Sequence, residues 1–475
     1  MAQLQQTKLI DMADMPLGKR HIWIVFVASL GQLIGTGVAT LAGIIIPLLN
    51  IITRPELSSA MQGIIGAADL VGIAIGSVII GKLIDKYGYI LLFRLCPLIV
   101  LVASVISIIF PDITVLIICL FIIGVGIGGE YSLDSNYISE LMPVKWKSFM
   151  VGLAKAASAF GNIIVAGICF LIIERWKTAT TWPELMWIVV AISGLMVVCR
   201  IWFYQSPKWL EHHGRPKEAE EMLQKFLGND VVLPPEETAP ATPQTGAERS
   251  ISEGSSTSRQ NSAAQPESGS FLKRNWKKII LTGIPWACEG LGVYGIGVFL
   301  PILVMSLGIE AGQTYGSPLH HVSSSVLVTF FISCIILPGF LLGLWLIQKR
   351  CNICRMQVVG FALCGIFLII LLLAYRYHWG TWISIVAFMA FELFLNMGPH
   401  LVTFVLPPKV YPVATRGFGT GIAASLGKVG AVLGVFFIPV LMHSGGASLV
   451  LIVSAIVMFV GAFFTFAFRK SATLQ

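Results

Sequence analysis

Apolar stretches of about 20 residues recur along the whole chain, each long enough for a helix to cross the hydrocarbon of a bilayer. No other feature constrains the fold as strongly. Inside lipid every backbone N–H and C=O must find its partner within the protein, so spans of this length read as helices. We read twelve of them. The first six cover roughly 22–49, 59–81, 91–110, 113–140, 148–173 and 184–204. The second six cover roughly 276–306, 323–347, 356–375, 380–406, 417–442 and 446–468. The predicted fold class is an all-α polytopic membrane protein with two pseudo-symmetric six-helix bundles, 22–204 and 276–468. Six plus six around a long connection suits two halves related by an axis along the membrane normal. A terminal segment 1–21, a linker 205–275 and a tail 469–475 complete the chain.

Of the 475 residues 56% are hydrophobic and only 12% charged, which excludes an ordinary soluble domain. The formal charge of +8 could suggest nucleic acid, but its placement argues otherwise. With the amino terminus in the cytoplasm, the outer loops hold only Arg54, Arg175, Lys177 and Arg376. Apart from the intramembrane Lys428, the remaining Lys and Arg fall on or near the cytoplasmic side. That asymmetry predicts a multi-pass protein of the plasma or inner membrane with both termini cytoplasmic. No small-residue cleavage site follows the charged start, so no cleaved signal is expected. In the linker, Arg215–Leu227 reads as an amphipathic helix, with Pro216 in its first turn and Gly228 as its stop. Residues 229–270, rich in Pro, Ser, Thr, Gln and Glu, read as disordered. The nine cysteines form no extracellular disulfide framework, and Cys351-x-x-Cys354 lacks a second pair or a nearby His. No phosphate-binding Gly-rich loop, nucleophile elbow or zinc motif appears, so neither enzyme nor cofactor or metal is indicated.

Ionisable residues within spans are costly and normally face a cavity or a partner. Glu130 and Asp134, four apart and so on one helix face, lie in the fourth span beside Tyr131. Gly124, Gly126, Gly128 and Gly129 just ahead of them let a neighbouring helix approach. Asp69, Glu289, Glu392 and Lys428 are further charges at membrane depth. Lys155, near the cytoplasmic end of the fifth span, reads as a snorkelling side chain. Glu130 is assigned as the main proton carrier, with Asp134 or Asp69 as second choice.

After the second span, Gly81-Lys-Leu-Ile-Asp85-Lys86-Tyr-Gly88 forms a tight turn between packed helices, with Arg94 at the headgroups. This stretch resembles the loop between helices two and three of the major facilitator superfamily. A longer stretch, Asn396-Met-Gly-Pro399 through Pro412, then Arg416-Gly-Phe-Gly-Thr-Gly421 and Ser425-Leu-Gly-Lys428, is similar to helices ten and eleven of its proton-coupled phosphate and metabolite symporters. Gly-Gly-Glu130-Tyr131 with Ser139-Glu140 resembles their helix four, and Gln205-Ser-Pro-Lys-Trp-Leu210 their segment after helix six.

The resemblance implies alternating access around a midplane site in a monomer, with a small solute and protons as partners. It implies substrate contacts at Tyr131, Trp286, Tyr294, Asn396 and Lys428 beside Glu130. Gln32 joins that set, in a first span that lacks the family's aspartate. The helix-seven aspartate position falls at Gly290, with Glu289 adjacent. Gly81, Asp85, Lys86, Gly88, Arg94, Glu140 and Arg416 form the expected gate. The predicted function is proton-coupled uptake of a small polar, anionic metabolite. The alternatives are sugar or neutral-solute transport, or a solute sensor of the same fold.

Overall fold

Helices account for nearly everything the computed structural model describes, namely residues 10–11, 15, 17–227, 231–232, 268–296 and 318–472. The first half comprises α1 (Lys19–Ile52), α2 (Ser59–Tyr87), α3 (Tyr89–Ile109), α4 (Ile113–Leu141), α5 (Lys147–Trp176) and α6 (Trp187–Cys199). Two short helices follow, α7 (Pro207–His212) and α8 (Pro216–Leu227). The second half comprises α9 (Ser268–Gly290), α10 (Pro318–Gln348), α11 (Ile353–Arg376), α12 (Thr381–Met397), α13 (Pro399–Val405) and α14 (Arg416–Phe468). Eleven described segments are long and apolar enough to cross a membrane. The remaining predicted span, 276–306, begins in α9 and its π-helical continuation Leu291–Ile296, and its residues 297–306 lie outside the described residues.

Local chemistry explains where these helices begin and bend. Asp112 accepts hydrogen bonds from the N–H groups of Thr114 and Val115 at the start of α4, and Ser58 and Asn352 act likewise for α2 and α11. Pro207 and Pro399 open α7 and α13, where their missing N–H costs nothing. Gly446 has φ +62° inside α14, so two spans meet there, at the predicted His443–Gly446 punctuation. Gly398 separates α12 from α13 within a single span.

The halves meet along two helix pairs, α2 against the first part of α14 and α5 against α10. The main apolar core runs through both halves, and large apolar side chains such as Phe26, Leu91, Leu171 and Phe463 point outward, as lipid contact requires. Helices α7 and α8 mark one end of the molecule, here called the linker face. There the Arg20 guanidinium donates to the Lys225 carbonyl at 2.5 Å.

Most of the segment read as disordered, 229–270, lies outside the described residues. Its two described parts depart from that reading. Val231–Val232 pairs in parallel with Ile10–Asp11, and Ser268 opens α9, because backbone pairing and helix extension supply partners that composition does not reveal.

Candidate substrate and coupling site

Glu130 and Asp134 occupy one face of α4, and both are sealed from solvent. Arg200, in the turn that ends α6, reaches them across the bundle. Its Nη1 and Nη2 donate to the two oxygens of Glu130 at 2.7 and 2.5 Å, and Nη2 also lies 3.4 Å from Asp134 Oδ1. Gln32 on α1 donates its amide to Asp134 Oδ2 at 3.2 Å. A Cβ on Gly31 would fall 2.4 Å from Asp134 Oδ2 and 2.6 Å from Glu130 Oε2, so only glycine leaves room for this cluster. With one guanidinium and two carboxylates, the cluster balances its charge when it holds one proton. Gln32 therefore serves Asp134, and Glu130 is fully occupied by a bidentate pair. By its position near the end of the sixth predicted span, Arg200 falls among the Lys and Arg expected on or near the cytoplasmic side. It has no exposed surface, because α6 ends in a turn that folds its side chain inward over the Phe93 ring at 4.8 Å.

One residue along α4, the Tyr131 ring turns toward the other half. It meets Trp286 of α9 edge-on, with centroids 6.0 Å apart, and Phe404 of α13 at 6.2 Å. Lys428 of α14 places its Nζ 4.8 Å from the Tyr131 centroid. Lys155 of α5 places its own at 5.5 Å, and 5.8 Å from the Phe404 centroid. Lys155 is 2% exposed and so does not snorkel, because α10 and α13 close over this part of α5. The fields of Asp69 and Glu289 act on Lys428, and that of Glu289 also reaches Lys155. His400 lies 3.7 Å from Glu289 through Nδ1 and packs edge-on against Phe340. Asp69 is fully buried on α2, and neither of its oxygens meets a hydrogen-bond donor among the described residues.

Asn396 is buried nearby, but its amide donates to Glu392 of its own helix, to the carbonyl at 2.8 Å and the carboxylate at 3.3 Å. The Tyr294 side chain lies outside what the structure describes.

At the linker face the halves are tied together. Asp85 accepts the N–H groups of Gly417 and Phe418, both at 2.8 Å, at the free amino end of α14. Glu140 binds Arg416 at 3.1 Å, Tyr89 Oη at 2.8 Å and Ser206 Oγ at 2.6 Å. A Cβ at Gly81 would meet the Gly417 carbonyl at 2.4 Å, so the two backbones touch there. Gly88 has φ +78°, and Gln205 braces its turn by accepting the Tyr89 N–H at 2.8 Å. Lys86 lies over the Tyr87 ring, and Arg94 donates to the Ile201 carbonyl at 3.0 Å, so both contacts stay within the first half. On the opposite face Ser323 donates to Glu174, so polar bonds join the halves on both sides of the aromatic site.

Comparison with known proteins matches residues 18–472 to the family model described as sugar (and other) transporter. The inner membrane metabolite transport protein YgcS of Escherichia coli is 23% identical, over 96% of this chain and 92% of its own. The niacin transporter NiaP of Acinetobacter baylyi is 24% identical, over 88% and 87%. The repressible high-affinity phosphate permease of Neurospora crassa is 23% identical, over 90% and 79%. Among solved structures, the proton:xylose symporter XylE bound to 6-bromo-6-deoxy-D-glucose superposes with a TM-score of 0.75 at 17% identity, over 94% of this chain and 95% of that one. That likeness shows the major facilitator fold.

Proposed function

Because the chain belongs to the sugar (and other) transporter family and is a multi-pass membrane transporter, we propose that it is a proton-coupled symporter that takes up a small organic anion by alternating access. The observation that carries this reading is Lys428. A cation from the second half lies against Tyr131 of the first, buried among aromatic rings where the two halves meet. An ammonium at this depth must be balanced, and a site shared by both bundles is where a rocking cycle holds its solute. Two of the relatives named above carry anions by name, niacin and phosphate, which supports the same choice.

Proton coupling is assigned to the Glu130–Asp134–Arg200 cluster, with Asp134 as the carrier. Both Glu130 oxygens are engaged by the guanidinium, whereas Asp134 has one long contact and one amide bond. A proton on Asp134 leaves the Arg200–Glu130 pair intact and neutralises the cluster. Asp85 and the Glu140–Arg416 pair form the clasp that opens when the linker face, cytoplasmic by its excess of Lys and Arg, admits solute to the cell.

The test is uptake into proteoliposomes with an acidic exterior, comparing labelled monocarboxylates, dicarboxylates, inorganic phosphate and hexoses. Acid-driven accumulation of an anion, reduced at least tenfold in Lys428→Gln, is the expected result. Accumulation of hexoses that no anion inhibits would replace this reading with neutral-solute transport.

A further inference from the structure

Lys155 as a residue is 2% exposed, and no hydrogen bond or ion pair joins its ammonium to another described residue. Its contacts are the faces of Tyr131 and Phe404. Removing an ammonium from water costs several kcal/mol, and two ring faces return about 0.5–2 kcal/mol each. A fold keeps such a group when an anion that comes and goes completes its coordination. Lys428 lies on the same ring from the opposite half, and each lysine belongs to a different bundle.

The geometry points to a two-amine clamp: Lys155 and Lys428 bind the two anionic groups of one doubly charged solute, such as a short dicarboxylate, across the Tyr131 ring. The inference rests on the anion reading above and narrows it from any anion to a dianion. Each ammonium takes one carboxylate, so the solute bridges α5 and α14 and joins the halves through its own charges. The nearby carboxylates of Glu289 and Asp69 balance the amines while the site is empty. When a dianion arrives, the site holds two negative charges in excess, and protons taken up nearby offset them. Tyr131 acts as the spacer that sets the separation between the two charges, so chain length becomes a criterion of selection.

The test is competition in proteoliposomes containing the full-length protein. Three-, four- and five-carbon dicarboxylates serve as probes with two separate anionic groups, inorganic phosphate as an anion with a single compact group, benzoate and nicotinate as monoanions, and glucose as the neutral control. The expected result is that one dicarboxylate length competes at least tenfold better than either monoanion. Lys155→Gln should lower that ratio at least tenfold, and Lys155→Arg should restore most of it. Phosphate outcompeting every dicarboxylate would overturn the two-group clamp while leaving an anion transporter, because one phosphate cannot place a separate anionic group at each amine. Monoanions that match or exceed the dianions in the wild type would overturn the clamp while leaving an anion transporter. Uptake confined to glucose would overturn the anion reading and the clamp together. The wild-type ratio decides the matter even if Lys155→Gln folds poorly.

Discussion

A guanidinium with no exposed surface, gripped by a carboxylate through two short bonds, makes Arg200 and Glu130 a single unit energetically. Removing one member leaves the other charged and buried, at a cost of about 3–5 kcal/mol, whereas exchanging both for apolar groups is often nearly neutral. Arg200→Leu is therefore expected to lower the melting temperature of the detergent-solubilised protein sharply, and Arg200→Leu with Glu130→Leu to recover much of the loss. Equal melting of the single variant and the wild type would show that the pair carries no such strain. Gly31→Ala forces a methyl group into the same carboxylates and should destabilise in the same direction. Much of this was hidden in the sequence. The spacing of Glu130 and Asp134 announces a shared face, but nothing in the linear chain says that Arg200, near a span's end, turns inward. Lys155 looked like a snorkelling residue for the same reason, since depth along a helix does not reveal which neighbours cover it. Asn396 was legible as a buried amide but not as one that bonds within its own helix.

At the scale of whole helices, the ends decide how the two halves are held together. Asp85 neutralises two free N–H groups at the start of α14, and a carboxylate in that position contributes about 0.3–1 kcal/mol, up to about 2 where partly buried. Asp85→Asn should weaken the clasp and shift the population toward the form open at the linker face. Faster modification of a cysteine placed at Ser148, beneath the Lys409 contact, would register the shift. Unchanged modification would mean that the cap does not hold the gate. At the opposite end of the first half, the N–H groups of Thr114 and Val115 hold the Asp112 carboxyl below the usual carboxylate range. Its stabilising effect on α4 is thus present above that range and lost as pH falls through the lowered value. The protection factors of the Thr114 and Val115 amides, which correct for the intrinsic slowing of exchange in acid, should fall on acidification in the wild type, and Asp112→Ala should show the low protection already at neutral pH. Exchange insensitive to the substitution would remove the cap from the account. The turn at Gly88 and the break at Gly446 were both visible beforehand, because glycine beside polar or charged residues ends an apolar run for a steric reason.

For the molecule as a whole, the twelve-span division was readable because a bilayer imposes a length on every crossing segment. Which charges face one another across the two bundles was not, since that depends on helix rotation, and rotation is set by packing rather than by hydropathy. The outcome is a layered arrangement. The Glu130–Asp134–Arg200 cluster lies inside the first half, a pair of lysines and an aromatic ring lie between the halves, and a clasp of Asp85, Glu140 and Arg416 ties them at the linker face. In the proposed cycle these layers act in sequence, and anion and proton enter together. The most direct measurement is the internal pH of proteoliposomes, followed with a trapped dye after a transported anion is added outside at constant external pH. Acidification of the lumen that follows anion uptake, and its loss in Lys428→Gln, is the expected result. Anion uptake with a steady internal pH, or acidification undiminished in that variant, would contradict it.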